Sequence, residues 1–473
     1  MSDRAVAALL AALVLASRVP FASHALWAWD SVLYARALES GFHVGADLAD
    51  QRPHPPGYIF YVAAAAAFRV LARDSNTALV AVSVLASALT AAAVYLFCRR
   101  YAERALAAVL ALGAASAPLA WTYGEIAMPY ALLGLLGVVL ALSLRDARSR
   151  PWPAALIASA GIGLAAGFRQ DVLLLLGPLW LWMLAGRSWR ERLLCVAAVG
   201  IASLAWLAPS AALSGGPAAY LTSLGGQAAR VSELSPAAGD EALLQNTLLT
   251  AYALWWGLLG FAPLLAAAIA LRLRAGRRLT ENAAFFALWL VPAALVLVTI
   301  HIGDPGYVMS MLPGLYVACA ALLAPIALRA PRPVLAVAAL LVALNVAVFV
   351  VSSTPFSAAA IARHDSFLGQ RVAFVRERFA PASTVILAQP EYLTARYYLP
   401  EYRVLFYGTE PEVLSRAALD VRITAPTTVV VFGDLGATLP DALRLSSDDV
   451  VRSGSIDPGT TLIAYELEPQ GVG

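Results

Sequence analysis

GYIFYVAAAAAFRVLAR, residues 57–73, decides how this chain lies in a membrane. The stretch is apolar enough to pass for a crossing. It is also short, carries Arg69 and Arg73 towards its end, and follows the proline-bound run RPHPPGY at 52–58. Taken as a crossing, it inverts every arginine cluster downstream. Taken as a helix lying along the outer leaflet, it leaves those clusters together on one side, as cytoplasmic loops require. We adopt the interfacial reading.

The composition around it is that of a membrane protein. Of 473 residues, 60% are hydrophobic and 13% charged, against about 25% charged in a soluble domain. The apolar residues fall into runs long enough to cross a hydrocarbon core of about 30 Å. They give eleven candidate spans: 5–21, 76–98, 105–121, 128–144, 152–168, 172–186, 193–209, 246–271, 283–300, 307–327 and 333–351. The first is kept as a span and not as a cleaved signal, because only Arg4 flanks it and no convincing small-residue cleavage site follows.

Orientation comes from arginine, since the chain contains no lysine. Arg99, Arg100 and Arg104 share one side with Arg145, Arg148 and Arg150, and with Arg187, Arg190 and Arg192. Arg272, Arg274, Arg277 and Arg278 join them, then Arg329 and Arg332, while the alternate connections hold little besides Arg169 and Arg230. The amino terminus is therefore expected in the cytoplasm and the carboxyl terminus outside. Short arginine clusters between apolar runs do not suit nucleic-acid binding. Cys98, Cys195 and Cys319 show neither disulfide nor metal spacing.

Beyond residue 352 the composition becomes that of a soluble domain, with strand-like runs at Thr384–Ala388, Thr428–Phe432 and Thr460–Tyr465. The expected fold is a polytopic all-α membrane bundle of about eleven transmembrane helices with outer juxtamembrane helices. Residues 1–351, including the first outer loop 22–75, form the bundle, and 352–473 a small extracytoplasmic α/β domain.

Five outward features carry polar residues. Asp30 follows Trp27 and Trp29, which suit a headgroup-level anchor; it reads either as a helix cap or as a catalytic carboxylate. RPHPPGY holds His54 on a rigid approach. YGEIAMPY, 123–130, presents Glu125 in a turn. Together Asp30 and Glu125 can bind a divalent cation such as Mg or Mn, or divide base and orienting roles. GFRQD, 167–171, sets Arg169 beside Asp171, either as an ion pair or as a fork for phosphate. HIGDPGY, 301–307, brings His301, Asp304 and Tyr307 to a last turn, where Asp-Pro is also an ordinary turn formula.

WD at 29–30, HPPGY at 54–58, CRRYAER at 98–104 and APLAWTYGEIAMPYALLGLL at 117–136 resemble a known superfamily. It is that of the C-type polytopic glycosyltransferases, especially bacterial relatives of protein O-mannosyltransferases and of lipid A aminoarabinose transferase. The likeness runs over residues 20–180 and continues more weakly, as topology, to 330.

It implies the C-type fold, with HPPGY opening a juxtamembrane helix. It also implies an inverting transfer of sugar from a polyprenyl phosphate donor to a glycan, lipid or protein acceptor at the extracytoplasmic face. Asp30 would be the leading catalytic residue, Glu125 the acidic residue of the second outer loop, and His54 part of the cavity. Relatives often carry a basic residue and an Arg-Tyr pair where this chain has His301 and Gly306-Tyr307. The donor phosphate is therefore assigned to Arg169, His301 and Tyr307. A polyprenyl-linked glycan flippase or transporter, and a diphosphate-donor polymerase or ligase, stand as alternatives. Against a transporter, the sequence shows no persuasive repeat of discontinuous helices.

Overall fold

A computed structural model describes residues 1–46, 51–233, 235–236, 239–274, 283–389, 391–406, 427–433, 453–457 and 462–467. Arg277, Arg278 and Thr460 of the sequence reading lie outside the described residues. The chain divides into two compact units. One comprises Met1–Ser23, Tyr34–Ala46 and Asp50–Ala362; the other joins His24–Leu33 and Asp47–Ala49 to Arg363–Gly473.

The first unit is a helical bundle. It begins with α1 (Asp3–Arg18), which Ser2 caps, and continues after α2 (Trp29–Ser40) into α3 (Ile59–Arg69) and α4 (Ser75–Cys98). Then come α5 (Arg104–Ser116), α6 (Pro118–Tyr123), α7 (Tyr130–Ser149), α8 (Trp152–Ala165), α9 (Asp171–Leu184) and α10 (Trp189–Leu213). The remainder is α11 (Pro217–Glu233), α12 (Asp240–Leu258), α13 (Phe261–Arg274), α14 (Ala283–Thr299), α15 (Leu312–Ala327) and α16 (Pro331–Val351). A further helix, α17 (Ala358–Arg378), leads into the second unit.

Among the described residues, five helices are long and apolar enough to cross a membrane by themselves, or six if one bent pair counts as a single span. Six apolar helices are shorter, so their length alone does not establish a crossing. Two of the expected spans are broken. Pro118 ends α5 and begins α6, because a proline cannot extend the preceding helix but fits a first turn. The expected span 246–271 bends by 95° between Leu258 and Phe261. There Leu259 takes a φ of 43°, left-handed backbone that a branched side chain rarely adopts. Gly260 lies against Leu341, whose side chain would come within 2.5 Å of an added Cβ.

α3 is 11 residues long. At 1.5 Å per residue it spans about 16 Å, roughly half a hydrocarbon core. Arginine-bearing turns meet at one end of the bundle. Arg99 and Arg104 each approach Asp3 at 3.2 Å, and Arg100 and Arg150 share Asp146 at 2.8 and 3.1 Å.

The second unit is built on a sheet of order β2-β1-β3-β5-β4. Its strands are β1 (Thr384–Gln389), β2 (Arg403–Phe406), β3 (Thr427–Gly433), β4 (Ser453–Asp457) and β5 (Leu462–Leu467). β1 pairs in parallel with β2 and β3, whereas β5 runs antiparallel to β3 and β4. A helix, α18 (Tyr392–Tyr398), links β1 to β2, as a parallel pair requires a crossover. Ile386, Val430 and Phe432 meet Leu368, Val375 and Leu399 in its core, and Ala25 from the chain's first loop packs with them. The C-terminal composition change is thus a real α/β region, and it recruits a piece of the amino-terminal sequence.

Candidate functional site

The proline-rich element is shaped before any side chain of the site is placed. Gly57 has a φ of +113°, and a Cβ there would meet Val44 at 2.7 Å and Phe42 at 2.9 Å, so only glycine fits. Tyr58 follows at φ 45°. Tyr220 of α11 donates its hydroxyl to the Pro56 carbonyl at 2.7 Å, and His43 and Arg52 exchange backbone bonds of 2.7 and 2.8 Å. The loop is tied down on two sides.

α3 then starts against the turn between α8 and α9. The Phe60 amide donates to Gly167 carbonyl oxygen at 2.9 Å, and a Cβ on Gly167 would stand 2.5 Å from the Phe60 ring. This close approach brings the Tyr58 ring to within 5.3 Å of the Arg169 guanidinium. His54 stacks edge-on against Tyr58 with centroids 5.3 Å apart, and faces Tyr34 at 6.4 Å. Its place is behind Tyr58.

Arg169 is 2% exposed. Its Nε and Nη2 grip both oxygens of Asp171, the shortest bond being 2.7 Å. Tyr130 and Tyr307 bring their rings to 4.9 and 4.8 Å of the same guanidinium. Three tyrosines thus surround a buried cation, an arrangement favoured by the negative faces of the rings. Tyr123 extends the cluster, packing on Tyr130 at 5.1 Å and donating its hydroxyl in a short bond to Asp304. Asp304 also accepts from the Gly306 amide at 2.7 Å. Any Cβ on Gly306 would fall 2.4 Å from the Tyr130 ring, so glycine is what lets the Tyr307 turn close.

Glu125 is differently placed. It is fully buried, 3.9 Å from the Arg18 guanidinium, with Oε1 accepting from the Trp121 indole at 2.9 Å. Oε2 is buried without a hydrogen-bond partner. Arg18 in turn lies over Trp121 at 4.6 Å and donates to Ser87 and to the Ala115 carbonyl. Burial pushes the Glu125 carboxyl up to about 8, against the opposing pull of Arg18 and the Trp121 bond. A hard divalent cation needs several oxygen ligands. Among the described residues no group of three His, Cys, Asp or Glu side chains is placed to hold a metal ion.

His301 follows α14, half-buried, and burial lowers its imidazole pKa. Asp30 lies in the first turn of α2 within the second unit. The turn around it is closed by Ser31, whose hydroxyl donates to the Ala28 carbonyl at 2.6 Å. Of the residues expected from sequence, His54, Arg169 and Tyr307 join one cluster in the helical unit. Glu125 belongs to the separate Arg18 network. Tyr58, Tyr123 and Tyr130 were not singled out, although they stand inside the motifs HPPGY and YGEIAMPY.

No protein-family model matches the sequence, nor does any curated protein. Among solved structures, ArnT from Cupriavidus metallidurans in the apo state aligns over 98% of this chain and 97% of its own, with a TM-score of 0.61. The chain shares the fold of that structure over nearly its whole length. The same protein bound to undecaprenyl phosphate aligns over the same shares with a TM-score of 0.60. Identity is 13% and 14% in the two comparisons, so the fold is shared while few side chains are.

Proposed function

We propose that the protein is an inverting glycosyltransferase that moves a sugar from a polyprenyl phosphate to an acceptor hydroxyl at the extracytoplasmic membrane face. One observation carries the reading: a buried arginine ringed by three tyrosines, on a fold that a neighbour uses with undecaprenyl phosphate bound. A leaving lipid phosphate develops negative charge. A pre-positioned guanidinium with phenols around it stabilises that charge without reorganising.

In this reading Asp30 takes the acceptor's hydroxyl proton as the oxygen attacks the anomeric carbon. The bond from that carbon to the phosphate oxygen breaks, and the lipid phosphate leaves with the electron pair. A single displacement inverts the anomeric centre. Arg169 and Tyr307 receive the phosphate, His301 adds a donor, and His54 supports Tyr58. The enclosed Glu125 is given a positioning role through Arg18. We read eleven crossings with the amino terminus in the cytoplasm; the length of α3 supports an interfacial course for it, and the gathered arginines support one cytoplasmic end.

The flippase alternative gains one support, the 95° break between α12 and α13, since transporters use discontinuous helices. Transfer in detergent separates the two. With no membrane to cross, a transferase still forms a glycosidic bond from a polyprenyl phosphate sugar, and a flippase forms none. Asp30→Asn should lower that rate by about 100-fold or more; an unchanged rate removes Asp30 as base.

A further inference from the structure

The tryptophans that read as headgroup anchors have another setting. Backbone bonds fasten their segment to the second unit: the His24 amide donates to Asp365 at 2.6 Å and the Leu26 amide to the Tyr398 hydroxyl at 2.9 Å. Ala25 is part of that unit's core. Trp27 stacks on His364 with centroids 4.4 Å apart. Trp27 and Trp29 then line a cavity of about 230 Å³, together with His364, Arg371, Glu391 and Thr394.

Its size and chemistry narrow the ligand. The volume equals about eight waters at roughly 30 Å³ each, less than a drug-sized pocket and on the scale of one sugar ring. Indole faces suit the axial C–H groups of a pyranose, and the polar groups suit its hydroxyls. Arg371 is 1% exposed, stacked on Phe432 at 4.1 Å and ion-paired to Glu391. Glu391 leaves a carboxylate edge in the cavity for hydroxyl donors. Trp29 also adjoins Asp30, with α-carbons about 3.8 Å apart along the chain.

We propose that this cavity binds a neutral sugar ring of the acceptor, making the acceptor a saccharide whose hydroxyl is presented beside Asp30. The proposal rests on the transferase reading for its role in turnover, but binding itself is independent of it. Full-length protein in detergent, without donor, is titrated with the methyl glycosides of mannose, galactose and N-acetylglucosamine, followed by tryptophan fluorescence and by saturation-transfer NMR. At least one glycoside should bind, and Trp29→Phe and Thr394→Val should each weaken it by about fivefold to tenfold, the scale of one hydrogen bond or ring contact. Thr394→Val preserves volume and Trp29→Phe keeps an aromatic ring.

Equal binding by wild type and both variants overturns the proposal, as does preference for inorganic phosphate or glucuronate over the neutral glycosides. In a turnover assay the variants should raise the acceptor KM and leave the donor KM unchanged. If transfer proceeds and neither variant moves the acceptor KM, the cavity proposal fails while the transferase stands. If glycosides bind at the cavity but no donor yields transfer, the transferase reading fails and the binding site stands.

Discussion

At Arg169 a charge is taken out of water, which costs several kcal/mol unless partners replace the hydration. Asp171 and the rings of Tyr58, Tyr130 and Tyr307 supply those partners. A lysine keeps the charge but loses the planar fork and the stacking. Arg169→Lys should lower kcat/KM for the donor by about 10- to 100-fold, with a larger loss for Arg169→Gln, measured by varying the polyprenyl phosphate sugar. Glu125 gives a pH prediction. Its folded carboxyl is pushed up to about 8 from an ordinary 4.5, so the folded state keeps a proton that the unfolded chain gives up. Stability therefore falls as pH rises from about 4.5 to about 8. Glu125→Gln removes that dependence, and its Tm relative to wild type should climb by about 1–3 °C between pH 5.5 and 8.5. Arg169 was legible because an arginine on a side otherwise poor in arginine needs a partner. The burial of Glu125 was not: a carboxylate in a turn reads as exposed, and its partner Arg18 sits in the first helix, far away in sequence.

At the scale of elements, the site depends on turns that only glycine can make. Gly306→Ala would push a methyl into the Tyr130 ring, with Tyr123 also within 2.9 Å. Such overpacking costs about 1–3 kcal/mol and displaces the tyrosines around Arg169. The variant should unfold at lower temperature and lose donor affinity. Gly225→Ala in α11 is the control, since nothing lies within 4 Å of its added Cβ; it should match or slightly exceed wild-type stability, because alanine favours a helix by about 1 kcal/mol. Strands rich in Val, Ile and Thr could be read directly, as β1 and β3 fall on their expected runs. β2 is only four residues, RVLF, too short for alternation to declare itself. The bend between α12 and α13 hid for another reason: the run 246–271 is apolar on both sides of the break. Composition records that a segment avoids water, and it does not record the backbone turn that Leu259 and Gly260 make.

Across the whole molecule, topology rests on α3. The three cysteines are buried, so an impermeant maleimide meets little native background. Ser40, Arg73, Glu103, Ser149 and Ser383 are exposed and suit single cysteine substitutions. With α3 along the outer leaflet, cysteines at 40, 73 and 383 should label in cells whose inner membrane is intact. Those at 103 and 149, beside the arginines that gather around Asp3 and Asp146, should label only after that membrane is permeabilised. If α3 crosses instead, 40 remains outside while 73 becomes protected, and 103 and 149 emerge on opposite sides of the membrane from those expected here. Arginine on the translocated side would then run against the usual charge bias in every later loop. Labelling at 40 without labelling at 73 therefore rejects the interfacial helix. It also turns the Arg169 cluster towards the cytoplasm, where a donor presented at the outer leaflet could not reach it.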